Sequence, residues 1–131
     1  MAPGMALVGS PGTTPRKRFS LATAPIPADE SVRLETLAAL QLLDSAADPV
    51  LDGLVRCTSA LIECPIALVG LVDADRQWFK ARVGLQASEI ARDVAFCAHT
   101  ILDGALLEVP DARLDARFSD NPLVTGAPHV C

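Results

Sequence analysis

Two short motifs carry the side chains best suited to chemistry. Cys97-Ala98-His99 and His129-Val130-Cys131 mirror each other and together offer four nitrogen and sulfur ligands, the number a tetrahedral zinc site takes. The spacing argues against zinc. One-residue gaps depart from the usual structural-zinc spacings, and on a helix Cys97 and His99 would point about 200° apart. The expected role is packed thiols and imidazoles, with no metal. Cys57 and Cys64 complete the four cysteines and fall seven apart in one helical pattern. They share a face two turns apart, too far for a disulfide, and read as core residues. Asp111, Asp115, Asp120 and Asn121 could hold a cation. Their alternation with Arg113 and Arg117 predicts local ion pairs, caps and turns instead. There is no phosphate loop, nucleophile elbow or metalloprotease motif, so no catalytic residue is expected.

The 131 residues leave room for one domain, and 50% of them are hydrophobic, so part of the chain is built to be buried. No apolar run reaches the roughly 18 residues of a membrane span. The net charge is −5, and no Lys/Arg cluster lies in the apolar-patterned part, which argues against nucleic acid. Arg16-Lys17-Arg18-Phe19-Ser20 is weakly similar to a twin-arginine signal, but the run from Leu21 to Pro27 is too short and too proline-rich for the apolar core of one. Four free thiols in a reducing cytoplasm is the expectation.

The elements follow from pattern. Residues 1–27 are rich in Pro and Gly without a period and read as a disordered tail, with Arg16-Lys17-Arg18 as a solvated basic spot. Residues 29–43 read as a helix, capped by Asp29 or Ser31, with Leu34, Leu37, Ala38 and Leu42 on one face. Asp48 caps a second helix with Pro49 at its first position. Its stripe is Leu51, Leu54, Val55, Thr58, Leu61 and Ile62, and Pro65 bars its continuation. Residues 66–72 are apolar throughout, as in a strand covered on both faces. Asp73 and Asp75 suit a tight turn. The next run alternates, with Phe79, Ala81 and Val83 on one face and Trp78, Lys80 and Arg82 on the other. The two runs form an antiparallel hairpin. Residues 85–92 read as irregular. Asp93 could cap a short helix through Phe96, Ala98, His99, Ile101 and Leu102. Residues 105–109 read as a strand. Residues 111–128 read as loop, with a helical turn near 112–116.

Particular stretches resemble a known family. They are Pro65-Ile66-Ala67-Leu68-Val69-Gly70-Leu71-Val72-Asp73-Ala74-Asp75-Arg76-Gln77-Trp78-Phe79-Lys80-Ala81, then Phe96-Cys97-Ala98-His99-Thr100-Ile101-Leu102, then Val109-Pro110-Asp111-Ala112-Arg113 through Phe118-Ser119-Asp120-Asn121-Pro122-Leu123-Val124. From about residue 29 to 130 the chain resembles the GAF domains at the front of bacterial sensor histidine kinases and diguanylate cyclases. The resemblance implies an α+β fold: a six-stranded antiparallel sheet with helices on one face and a small-molecule pocket on the other. About three of the six strands are expected here (66–72, 76–83 and 105–109), the first of them central in the family's sheet. The expectation is therefore a partial GAF domain over 28–131, poorly stable alone.

The function so implied is non-catalytic small-molecule sensing within a bacterial signal-transduction protein. The alternatives are a fragment of a kinase or cyclase lacking its output domain, and an interaction fragment without a ligand. The residues expected to meet a ligand are Trp78, Phe96, Cys97, His99, Phe118 and Asn121. His99 could bind a ligand or a haem iron, though a packed structural histidine is the plainer role. Cys97 lacks the context of tetrapyrrole-binding relatives, and the family's cyclic-nucleotide signature is absent, so no cofactor is assigned. A homodimer through the 29–43 helix is the expected protein contact, with neither nucleic acid nor membrane as a partner.

Overall fold

The computed structural model describes residues 22–130. The basic spot at residues 16–18 and most of the expected 1–27 tail lie outside the described residues. The architecture is α+β. Helix α1 (Glu30–Ala39) and helix α2 (Pro49–Ile62) lead into strands β1 (Ala67–Val72), β2 (Arg76–Val83) and β3 (Glu89–Ala91). A 3-10 turn (Arg92–Val94) and two single-turn helices, α3 (Cys97–Thr100) and α4 (Pro122–Thr125), complete the order. The sheet is antiparallel in the order β1-β2-β3, with β2 in the middle.

Local chemistry explains most boundaries. Asp48 Oδ1 accepts from the backbone N–H of Val50 and Leu51 at 2.9 and 3.2 Å, a cap worth about 1 kcal/mol. Glu63 leaves α2 in the left-handed region at φ 56°, and Pro65 comes two residues later. Gly84 sits at φ 74°, and a Cβ there would lie 1.8 Å from the Pro65 carbonyl oxygen, so only glycine lets β2 leave the sheet this close to the entry of β1.

Several expectations need correction. First, α1 stops at Ala39, short of residue 43, and Gln41 and Asp44 turn left-handed at φ 51° and 54°. The chain has to fold back there, because Asp44 pairs with Arg76 at 2.7 Å and the Lys80 ammonium donates to Ser45 Oγ and Ala46 O at 2.5 and 2.6 Å. Asp29 occupies the N-cap position without a side-chain cap bond. Second, the α2 stripe is only half used. Val55 is buried, while Leu54, Leu61 and Ile62 are exposed, since three strands offer too little surface to cover it. Third, Cys57 is exposed rather than core, and Cys64 lies beyond the end of the helix.

Fourth, the third strand is β3, in the segment read as irregular. Residues 105–109 form no strand. Leu107 and Val109 pack instead against the cluster of Ala112, Phe118 and Val124. Fifth, residues 112–114 form a hydrogen-bonded turn, with Asp115 N donating to Asp111 O at 3.2 Å, and the assigned helix of the 111–128 loop is α4, where Asn121 Oδ1 accepts from Leu123 N at 2.9 Å and Pro122 sits directly after the cap. β1 pairs with β2 on one side and is an edge strand of this sheet.

The face assignment of β2 also changes. Val69 pairs with Ala81 and Gly70 with Phe79, so Lys80 has no partner across the ladder. That is a β-bulge, two residues opposite one. Cross-strand partners share a face. Gln77 and Phe79 therefore sit with Val72, Gly70 and Leu68 on one face. Trp78, Ala81 and Val83 sit with Leu71, Val69 and Ala67 on the other. The expected set Phe79, Ala81 and Val83 is split, because an alternating pattern hides one inserted residue.

Helix α2 packs on the second of these faces, against β1 and β2. The N-terminal helix is fastened by ions. Glu30 accepts from Arg33 Nη2 and Nε at 2.7 and 2.8 Å and from Arg92 Nη1 at 2.5 Å. Arg33 Nη1 also donates to the Val72 carbonyl. Arg92 is buried and donates further to the carbonyls of Asp73 and Ala74. One carboxylate thus ties α1 to the hairpin turn and to the start of the 3-10 turn.

Hydrogen bonds from Arg33 first, then from Arg92, lower the pKa of Glu30 from 4.5 to about 2. A depressed folded-state value stabilises the protein above the unfolded value, and this contribution is lost as pH falls through the folded one. Glu30→Gln should melt below the wild type at pH 7, and the gap should close between about pH 4.5 and pH 2. A gap that persists unchanged at pH 2 in thermal unfolding would contradict the role given to Glu30.

Candidate functional site

The β-bulge leaves one sheet face free of α2, and a cavity of about 510 Å³ opens on it. Leu68 of β1 and Gln77 and Phe79 of β2 form its floor. Leu85 and Ile90 close one side, Phe96 and Cys97 another, and Leu123 and Val130 the rim. Among the described residues no Asp, Glu, Lys, Arg or His lines it. Its size falls within the usual range for small-molecule pockets, about 300–1,000 Å³.

Gln77 is the unusual member. It is 2% exposed, and its amide nitrogen Nε2 has no hydrogen-bond partner among the described residues. A buried polar group left unsatisfied costs about 1–3 kcal/mol. Gly70 makes the position possible. A Cβ on Gly70 would meet Gln77 Nε2 at 2.1 Å, so the amide lies flat over a strand position that has no side chain.

Cys97 stands beside this amide at the start of α3. Burial raises its thiol above the ordinary value, and the neighbouring Gln77 amide pulls it back part of the way without satisfying Nε2. A raised thiol pKa leaves the group protonated and unreactive at neutral pH.

Of the residues expected to meet a ligand, the structure brings Phe96 and Cys97 to this cavity. Phe118 lies behind Phe96, 1% exposed, with the two rings stacked 4.1 Å apart at 9°. Such a pair adds about 0.5–1.5 kcal/mol beyond its buried area, so Phe118 fixes the angle of the wall. His99 meets the Phe118 ring edge-on at 4.9 Å and is not among the lining residues. Asn121 is 3% exposed. Its Nδ2 donates to Val94 O at 2.9 Å while its Oδ1 caps α4, so it links the C-terminal loop to the segment before α3. Trp78 points to the opposite face, where the Lys80 ammonium sits 5.9 Å from its ring centroid.

The acidic residues form local pairs. Asp111 holds Arg113 at 2.8 Å and Asp115 holds Arg117 at 2.6 Å. Among the described residues no group of three or more His, Cys, Asp or Glu is placed to hold a metal. Cys131, the fourth ligand of the conceivable zinc arrangement, lies outside the described residues. Sequence pattern did not single out Gln77 or its glycine platform. The signal was present: Gln77 shares the parity of Phe79, which makes it a polar residue on a face that otherwise reads as buried.

A second cavity, of about 550 Å³, lies between α1, β1 and α3, and Gly70, Leu71, Val72 and Cys97 line it with Arg33 and Leu37. Cys97 therefore lines both cavities. No helix among the described residues is long and apolar enough to cross a membrane.

No family model matches the chain. A cyclic di-GMP phosphodiesterase of Pseudomonas aeruginosa is 41% identical to it over 110 residues, which are 84% of this chain. The chain spans 19% of the length of that relative.

The thiol environments make a direct prediction. Iodoacetamide at pH 8 should alkylate exposed Cys57 about tenfold or more faster than Cys97. Peptide mapping by mass spectrometry reads the order, and equal rates would show that Cys97 is more open than its half-buried position.

Proposed function

We propose that this chain is a non-catalytic small-molecule-sensing domain of the GAF type. Its parent would be a bacterial cyclic di-GMP signalling protein. The carrying observation is the uncharged cavity on the sheet face that α2 leaves free, with an unsatisfied amide in its floor. The relative supports a phosphodiesterase output in place of the kinase or cyclase suggested by sequence, since the chain corresponds to a fifth of a protein named for that activity.

The lining supports binding over catalysis. Hydrolysis of a phosphodiester needs a water activated by a metal or a general base. Among the described residues the one titratable group in the cavity wall is the Cys97 thiol, which burial keeps protonated. The chain incubated with cyclic di-GMP should give no linear product by chromatography, and small uncharged compounds should raise its melting temperature. Turnover by the isolated chain would overturn the non-catalytic reading, and failure of every compound to shift melting would overturn sensing.

Helix α1 is the relay in this reading. It borders the second cavity, and Cys97 separates that cavity from the first. Val32 and Leu40 are 62% and 58% exposed on or beside it, apolar surface suited to a second copy of the helix. Val32→Glu should convert a dimer to a monomer in sedimentation velocity with the circular dichroism spectrum unchanged. A monomeric wild type would remove the dimer from the proposal.

A further inference from the structure

The chemistry of the first cavity narrows what it can hold. Among the described residues its wall contains no charged or imidazole side chain, so an anion placed there would lose its hydration without a counter-charge. This applies to any phosphate, cyclic dinucleotides included. An apolar wall alone would accept a plain hydrocarbon. The polar side chains of the wall are Gln86, which is exposed, and Gln77, a donor buried to 2% exposure whose Nε2 neighbours the Cys97 thiol and has no oxygen or nitrogen acceptor among the described residues. The terminal amide torsion of glutamine is broad and soft, so Nε2 can turn toward a cavity occupant. Gly70 leaves room for the amide where it lies, since the atom nearest a Cβ there is Nε2 itself.

We infer that the cavity takes a neutral, largely apolar small molecule presenting one hydrogen-bond acceptor, a carbonyl or ether oxygen, to Gln77 Nε2. This rests on the sensing function proposed for the same cavity and specifies its ligand. Gln77 is the specificity-determining residue: it leaves hydrocarbon binding untouched and rewards the acceptor. Cyclic di-GMP is then a molecule this cavity rejects, so ligand and output chemistry are distinct.

The test uses three probes built on one skeleton: 4-phenyl-2-butanone carries the acceptor, butylbenzene lacks it, and 3-phenylpropionate is its anionic counterpart. Binding to the full chain is measured by calorimetry or ligand-observed NMR, with Gln77→Met as the near-isosteric variant. The ratio of ketone to hydrocarbon dissociation constants should rise about tenfold in Gln77→Met, almost wholly through the ketone. The propionate should not compete with the ketone in the wild type. Gly70→Ala displaces the same amide without removing it and should weaken the ketone in the same direction, which guards against a folding defect in the first variant. An unchanged ratio in both variants, or competition by the propionate, overturns the ligand class while the cavity remains a binding site. If the wild type binds none of the three, the sensing reading falls with it.

Discussion

Lys80 has no partner across the ladder, and that one unpaired residue decides what each side of the sheet does. Before it, Gln77 and Phe79 face the cavity. After it, Ala81 and Val83 face α2. Without the bulge, strict alternation would keep Phe79 and Ala81 on one face, and a single face would have to serve both packing and binding. The inserted side chain is itself put to use. Its ammonium reaches Ser45 and Ala46 in the segment between α1 and α2 and holds that segment over the Trp78 side of the sheet. A lysine buried to 8% exposure has to have its ammonium met by hydrogen bonds, and this need explains why α1 ends where it does.

The cavity wall is held by two further devices at its ends. On one side, Glu30 gathers Arg33 and Arg92 and fixes α1 and the hairpin turn together. On the other, Phe118 stacks on Phe96, and Asn121 joins α4 to the chain before α3. The aromatic stacking contributes about 0.5–1.5 kcal/mol, of the same order as the roughly 1–3 kcal/mol that the unsatisfied Gln77 amide costs. Arg92 Nη2 is also without a partner among the described residues, but it sits in the Glu30 ion cluster, whereas Gln77 carries its cost on a face kept free of packing, which has the form of a functional site. Cys97 lines both this cavity and the one bordering α1, so the two cavities share a side chain.

Much of this was legible in the residues. Hydrophobic period and capping residues place α2, and the apolar run and the alternation after it place the β1–β2 hairpin almost to the residue. The alternation of Asp111 and Asp115 with Arg113 and Arg117 foretells the local ion pairs. What was not legible has physical causes. A bulge is one residue and leaves no mark on a period-two pattern. β3 is three residues long with Ile90 as its one larger apolar side chain, too little to tell from a loop. Residues 105–109 have strand-like composition, yet Leu107 and Val109 gain more by packing on the Phe118 cluster. Of the candidate site, Phe96 and Cys97 came from motif, whereas Phe118 and Asn121 serve as its scaffold. Gln77 depends on the absence of a side chain at Gly70, which only the three-dimensional register reveals.

The central claim is that the Gln77 face, and not the Trp78 face, receives a small neutral ligand. The most direct measurement tracks the Gln77 side-chain amide and the Trp78 indole by nitrogen–proton correlation NMR while 4-phenyl-2-butanone is added to the full chain. The account predicts that the Gln77 amide protons shift together with the methyls of Leu68 and Ile90, and that the Trp78 indole stays in place. Shifts centred on Trp78 and α2, or a Gln77 amide indifferent to a saturating probe, would contradict it.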